Sequence, residues 1–255
     1  MANTPRLELN TRSADAIDGR QLRAVAFLEV RLEYVDQVLK KLAIKPAAGS
    51  AVVVGSGRGD LARGLARMGL AITAVDPSAA ATEMAREESK RSELDIQHNT
   101  AEPERLPYDD EQFDLVYIAD TLEVTDRLDE VLAQAARVLR PGGVLIYDTV
   151  NRTLRGRLIY LGAFQGIPMT RIMPPGRYAA ERLRPPATVI AALAEHGLRN
   201  EDICGFKPKT LPELVKAVRG RRRGRITDEQ AGELVHFVLE RKASPQVTYF
   251  GYARK

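Results

Sequence analysis

The sequence predicts an α/β fold, a parallel sheet covered by helices on both faces. Three observations carry that expectation. Short apolar runs alternate with amphipathic helical stretches, the connections between them are short, and the first of the runs, AVVV (51–54), is apolar throughout instead of alternating. A strand buried on both faces has that character, and strand–helix alternation with short links gives a parallel sheet.

Each element has its own reason. From Ala16 to Leu42 the spacing predicts a helix, with Leu28, Leu32, Val35, Leu39 and Leu42 on one stripe, and Pro46 and Gly49 break it. After AVVV, GDLARGLARMG reads as a helix carrying Leu61, Leu65 and Met68 on one face, with Gly69 as its stop. LAITAVD (70–76) is the second strand and MAREESKRSEL a polar-faced helix. QFDLVYIAD (112–120) is a strand, LDEVLAQAARVLR (128–140) a helix ended by Pro141-Gly142-Gly143, and VLIYDTV (144–150) a strand again. Residues 151–185 mix apolar, basic and proline-rich stretches without a clear strand. TVIAALAEHGL (188–198) resumes as a helix and EDICGF (201–206) as a strand. Capping boxes, Thr210 with Glu213 and Thr227 with Gln230, open two further helices. The second sets Ala231, Leu234, Val235, Val238 and Leu239 on one side, and QVTYFGYARK is the closing strand. The expected segments are an N-terminal helical part (1–48), a core (49–150), an insertion (151–187), and the remainder of the core (188–255) with a two-helix insertion at about 209–242.

Composition bounds the function. The chain has 255 residues, 44% hydrophobic and 28% charged, with a net charge of +4, enough for one sizeable domain. A single cysteine, Cys204, excludes an internal disulfide and reads as a buried residue. No apolar run reaches the ~20 residues of a membrane span, and MANTPRLELNTRSADAIDGR lacks the apolar centre of a signal peptide, so a cytoplasmic protein is expected. The basic residues peak in RGRRRGR (219–225). That cluster reads as a solvated loop between two helices, with contact to anionic lipid or an acidic partner as the alternative. Without interleaved aromatic residues it makes a poor platform for nucleic acid.

The stretch VVVGSGRGD (52–60) holds the chemistry. Its glycines lie between a strand and a helix, where backbone N–H groups and close approach suit a ligand. Asp76 follows Gly55 by 21 residues (76 − 55) at the end of the second strand, placed to accept from both hydroxyls of a ribose. Dinucleotide folds use G-x-G-x-x-G; here the spacing is G-x-G-x-G, and Asp60 takes the place of the last glycine. An acid there repels a pyrophosphate, whereas S-adenosylmethionine has none and fits better.

VVVGSGRGD with AVD, then TAEPERLPYDDEQFDLV, then LRPGG, resembles the motif series of class I S-adenosylmethionine-dependent methyltransferases, from about Arg31 onward. RLEY (31–34), TLEV (121–124), TVNRT (149–153) and RIMPPGRYAAERLRPP (171–186) are most similar to the ubiquinone-biosynthesis type of O-methyltransferase. The resemblance implies a Rossmann-like sheet of seven strands, the last antiparallel, with helices on both faces and helical insertions. It implies S-adenosyl-L-methionine as cofactor, S-adenosyl-L-homocysteine as product, and O-methylation of a small lipophilic aromatic or quinone-like metabolite. Arg31 matches the arginine for the methionine carboxylate, Gly55, Ser56 and Gly57 the loop under the amino-acid part, Asp76 and Pro77 the ribose position, Thr100, Ala101 and Glu102 the adenine contacts, and Ala119 a lining residue.

Four departures qualify that implication. Val53 stands where the family usually has an acid, and Thr100 where it commonly has Asp. The family's E-x-x-E-H, suited to a divalent metal, is here Asp120-Thr-Leu-Glu123-Val124. Two carboxylates remain that suffice for weak Mg²⁺ binding with waters, or that cap the next helix or orient substrate, so the metal stays open. The family's G-T-H is Gly176-Arg177-Tyr178. With those histidines gone, Asp120, Glu123 and Tyr178 are the catalytic candidates. His98 and His236 read as structural or surface residues, and His196 as a helix cap. The 151–180 stretch is expected to cover the substrate, with Arg152, Tyr160, Phe164 and Met169 as contacts, or to form a dimer face or lie on an anionic membrane. N- or C-methylation, a nucleic-acid methyltransferase and a non-catalytic cofactor-binding protein remain as alternatives.

Overall fold

A computed structural model describes residues 5–13, 15–46 and 49–255. The boundary expected at 48/49 abuts residues 47 and 48, which lie outside that description, as do residues 1–4 of the amino-terminal stretch. Strands β1 (Arg6–Leu7) and β2 (Ala16–Ile17) pair in parallel as a small separate sheet. Thus the first helix, α1, begins at Gly19 and runs to Lys41, three residues later than expected. Asp18 caps it by accepting from the N–H groups of Arg20 and Gln21.

The main sheet has eight strands: β3 (Ser50–Val54), β4 (Ala71–Asp76), β5 (Ile96–Thr100), β6 (Phe113–Ile118), β7 (Leu139–Val150), β8 (Arg199–Pro208), β9 (Phe237–Glu240) and β10 (Thr248–Arg254). Their order is β5-β4-β3-β6-β7-β10-β8-β9. The first five neighbours are parallel, and β10 lies antiparallel between β7 and β8. The chain moves outward from β3 to β5 and then returns to β6, so the topological switch lies at the carboxyl ends of β3 and β6, where such sheets bind ligands.

Helices α2 (Asp60–Arg67), α3 (Ala79–Arg91), α4 (Leu128–Val138), α5 (Leu154–Arg157, continued by a π-helical turn at Leu158–Ala163), α6 (Pro186–Glu195), α7 (Leu211–Arg222) and α8 (Asp228–Glu233) complete the fold. Val53 joins the core on the α1 and α2 face, and Val52 and Val54 join the core on the α4 and α6 face. That division is why AVVV shows no polar alternation. Among the described residues no helix is long and apolar enough to cross a membrane.

Three expectations are corrected. The buried face of α1 carries Leu22, Arg23, Phe27, Val30, Arg31, Tyr34 and Val38, with Val35 and Leu39. Leu28 and Leu32 are only partly buried and pack toward α2 at Gly64. The helix predicted through Leu239 ends at Glu233, and Phe237–Glu240 instead forms β9, an eighth strand antiparallel to β8. Phe237 lies 4.6 Å from Phe27 and 5.9 Å from Phe206, ring to ring, so sheet pairing and an aromatic cluster override the helical period. The arginine cluster is not a solvated loop throughout. Arg221 is buried in the last turn of α7, with Nε 2.7 Å from Asp228 Oδ1, and it donates to the Ala16 carbonyl.

Candidate functional site

The loop after β3 is built for close approach. Gly55, Gly57 and Gly59 all have positive φ (76°, 57° and 78°). A Cβ on Gly55 would lie 2.2 Å from the Ala119 carbonyl oxygen, so only glycine lets this loop meet the end of β6. The loop N–H groups of Gly55 and Ser56 donate to the Val75 carbonyl, and Gly57 N–H donates to Asp76 Oδ2 at 2.8 Å. Asp76, at the carboxyl end of β4, also accepts from Ser78 N–H at 2.9 Å and from Arg20, whose guanidinium spans both carboxylate oxygens (Nη1–Oδ1 3.1 Å). Arg20 also donates to the Gly55 carbonyl at 3.2 Å.

At the end of β6, Asp120 is buried with φ of 49°. A left-handed non-glycine residue costs of the order of 1 kcal/mol or more and is characteristic of functional positions. Its Oδ1 lies 2.8 Å from Arg31 Nη2 and 3.2 Å from Arg23 Nη2. Arg31 in turn grips Asp148 on β7 with two hydrogen bonds, of 3.0 and 2.8 Å. Arg23 Nη1 lies 2.7 Å from Glu123 Oε1 and donates to the Tyr178 hydroxyl at 3.0 Å. Four carboxyl groups (Asp76, Asp120, Glu123, Asp148) therefore face three guanidiniums from one helix.

The two acids after β6 are driven apart. Burial works to raise Asp120, but Arg23 and Arg31 outweigh it and lower its carboxyl to about 2. Glu123 is raised above its ordinary value by burial, with the charges of Asp120 and Asp148 adding to it and Arg23 opposing. Environments that separate paired carboxyls are a signature of acid–base sites.

Two cavities meet at Asp120. A tight one, about 10 Å³, lies among Arg20, Arg31, Gly55–Arg58, Ala119 and Asp120. A wider cleft of about 350 Å³ is lined by Arg20, Gly55, Pro77, Glu102, Asp120, Val124 and Arg177, among others. The structure thus gathers Arg31, Gly55, Ser56, Gly57, Asp76, Pro77, Glu102, Ala119 and Asp120 around one junction. Thr100 is exposed at the end of β5, and Ala101 N–H donates to the Asp76 carbonyl. Tyr178, Tyr160 and Phe164 form an edge-to-face series with centroids 4.9 and 5.2 Å apart, behind Arg23. Arg152 and Met169 (79% exposed) lie on the outer surface.

Arg20, Arg23 and Asp148 were not among the sequence candidates. The available signal was that Arg20, Arg23 and Arg31 share a helix face with Phe27 and Tyr34. His98 is neutral and structural: burial, then Arg63 and Arg86, lower it to about 4, and it meets the Ser89 hydroxyl at 2.9 Å. His196 is the C-cap of α6 and pairs with Asp129 at 2.7 Å. The carboxylate pair does not suit a divalent cation. Val124 contributes hydrocarbon to the cleft, two guanidiniums already adjoin Asp120, and among the described residues no set of three or more metal-binding side chains is assembled.

Residues 52–147 match the methyltransferase domain family. A ubiquinone biosynthesis O-methyltransferase of Xanthomonas axonopodis pv. citri (strain 306) is 32% identical over 191 residues, covering 74% of this chain and 77% of that protein. A protein of the same name from Chelativorans sp. (strain BNC1) is 31% identical, with 72% and 76% covered. Among solved structures, magnesium protoporphyrin IX methyltransferase from Synechocystis PCC 6803 with bound S-adenosylhomocysteine has the same fold, with a TM-score of 0.60 at 14% identity, over 93% of this chain and 87% of that one.

Proposed function

The chain belongs to the class I S-adenosylmethionine-dependent methyltransferases, in the family of the ubiquinone biosynthesis O-methyltransferases, and from that premise we propose that it methylates a hydroxyl of a small lipophilic aromatic or quinone-like metabolite. One observation carries the reading: Asp120, buried and strained, borders both the glycine-loop cavity and the wider cleft. The wider cleft, about 350 Å³ and lined by Pro77 and Glu102 of the cofactor set as well as by Asp120, Val124 and Arg177, is of small-molecule size.

The glycines and the acid at the end of β4 suit an adenosyl group without phosphates. Gly55, Ser56, Gly57 and Ala119 would hold its amino-acid part with Arg31, Asp76 and Pro77 its ribose, and Thr100, Ala101 and Glu102 its base. When bound, the cofactor supplies an electrophilic methyl on a sulfonium. The protein's task is then to hold the acceptor in line, exclude water and receive a proton. Positioning of this kind accounts for up to ~7–11 kcal/mol of barrier. Asp120, held ionised, accepts a hydrogen bond from the acceptor hydroxyl. Asp120, which lines the cleft, is the carboxylate placed to take the proton, while Glu123, buried outside both cavities, acts on it through Arg23. A catechol or hydroxyquinone ionises readily enough for a carboxylate to serve.

Replacing Asp120 and Glu123 together with alanine is expected to lower kcat by about 10²–10⁴-fold and to move its pH profile. Unchanged turnover and profile would remove the carboxylates from the mechanism. The activity itself is tested with methyl-labelled S-adenosylmethionine and, separately, a lipid-soluble metabolite extract and total RNA. Label in an organic-extractable methyl ether is expected. An N- or C-methyl product would move the acceptor atom, and label in RNA alone would overturn the reading.

A further inference from the structure

We infer that Arg23 occupies the role of a cation at this site, so that the chain positions Asp120 and Glu123 without a divalent metal. Two sequence departures and one arginine unconnected to them along the chain bear on the carboxylate pair. Val124 and Tyr178 stand where the resembled family has histidines, and Arg23 reaches the carboxylates from α1. Its guanidinium lies 3.2 Å from Asp120 Oδ1 and 2.7 Å from Glu123 Oε1, and donates to the Tyr178 hydroxyl at 3.0 Å. A metal joining both carboxylates would stand against Arg23, and against Arg31, 2.8 Å from the same Asp120 oxygen. Like charges at such separations in a buried site repel strongly. The Tyr178 hydroxyl is already an acceptor of the guanidinium, and Val124 offers no ligand atom.

Arg23 is 5% exposed and lines neither cavity, so it is a positioning residue that acts through Asp120 and Glu123. Its contacts with them are close in distance but not aligned as hydrogen bonds. Arg23 Nε and Nη2, Asp120 Oδ1 and Glu123 Oε1 are buried without an aligned partner. Asp120 borders the cleft, but its Oδ1 is enclosed and faces the two guanidiniums. Orphaned polar atoms in so buried a cluster call for a partner. The planar guanidinium holds the two acids at a fixed spacing while it balances their charge.

The part of this inference that concerns the acceptor rests on the methyl-transfer reading above. The part that concerns the cation does not, and the experiment separates them. Mn²⁺ is titrated into the purified full chain and followed by electron paramagnetic resonance, with no acceptor present. The unsubstituted chain is expected to leave the Mn²⁺ signal free, and Arg23→Met to bind one ion that Asp120→Asn then abolishes. Val124→His, with Arg23 retained, is expected to gain no ion, which keeps the test decisive if Arg23→Met does not fold. Mn²⁺ bound by the unsubstituted chain and lost in Asp120→Asn would overturn the inference. So would an Arg23→Met variant that folds yet binds none, or binding gained by Val124→His alone. In a parallel arm, methyl transfer to a catechol is expected to be unchanged by a chelator, and chelator-sensitive transfer would likewise overturn it. Absence of methyl transfer to any acceptor, with the Mn²⁺ results as expected, would count against the proposed function and leave the cation assignment standing.

Discussion

Asp76 has no free side-chain oxygen: Gly57 N–H, Ser78 N–H and both ends of the Arg20 guanidinium are on it. A ribose that bonds Asp76 exchanges hydrogen bonds with Arg20, so Arg20→Met is expected to tighten S-adenosylmethionine binding by up to about tenfold, roughly the net worth of one charged hydrogen bond. Isothermal titration calorimetry measures it, and weaker binding would make Arg20 a cofactor ligand instead of a competitor. Glu123 carries a pH prediction. Its folded-state value is raised, so the stability it contributes is complete below its ordinary range and is lost as pH rises through the raised value. Denaturant unfolding is expected to show the unsubstituted chain losing stability relative to Glu123→Gln as pH rises above the ordinary carboxylate range. A constant difference would mean that Glu123 titrates normally. Asp120 has the opposite sign, its contribution present above the ordinary carboxylate range and lost as pH falls toward about 2. Gly55, Asp76 and Asp120 were legible in the sequence because each sits where a strand ends. Arg20, Arg23 and Asp148 were not: an arginine on a helix reads as solvated, and the Arg31–Asp148 pair joins positions 117 residues apart.

Between elements, local pattern and sheet pairing compete. ELVHFVLE carries a helical period, yet Phe237–Glu240 extends the edge of β8 and places Phe237 against Phe27 and Phe206. Four residues gain strand pairing and aromatic contact, and the helix stops at Glu233. Both caps before the last two helices, by contrast, were visible as Thr-x-x-Glu and Thr-x-x-Gln, and the Thr227–Gln230 box closes in both directions. The arginine cluster divides in the same way. Arg221→Met breaks a buried pair with Asp228 and removes a tie to Ala16, and is expected to cost about 3–5 kcal/mol in denaturant unfolding. Exposed Arg223→Met is expected to stay within about 0.5 kcal/mol. Equal costs would mean that the cluster acts as one charged surface.

At the scale of the whole molecule, strand–helix alternation and the glycine loop were enough to place the switch point, where the candidate site lies. What they did not reveal is that α1 lies across that site and supplies it with three arginines, because helix placement on a sheet depends on contacts far apart in sequence. The central claim is that the glycine loop and Asp76 form an S-adenosylmethionine site. Its most direct test is calorimetric titration of S-adenosylmethionine into the unsubstituted chain and into Asp76→Ala. One site per chain is expected, weakened in the variant by about ten- to a hundredfold, the loss of one or two hydrogen bonds to a charged acceptor. Binding that survives Asp76→Ala unchanged, or a chain that binds no S-adenosylmethionine, would contradict it.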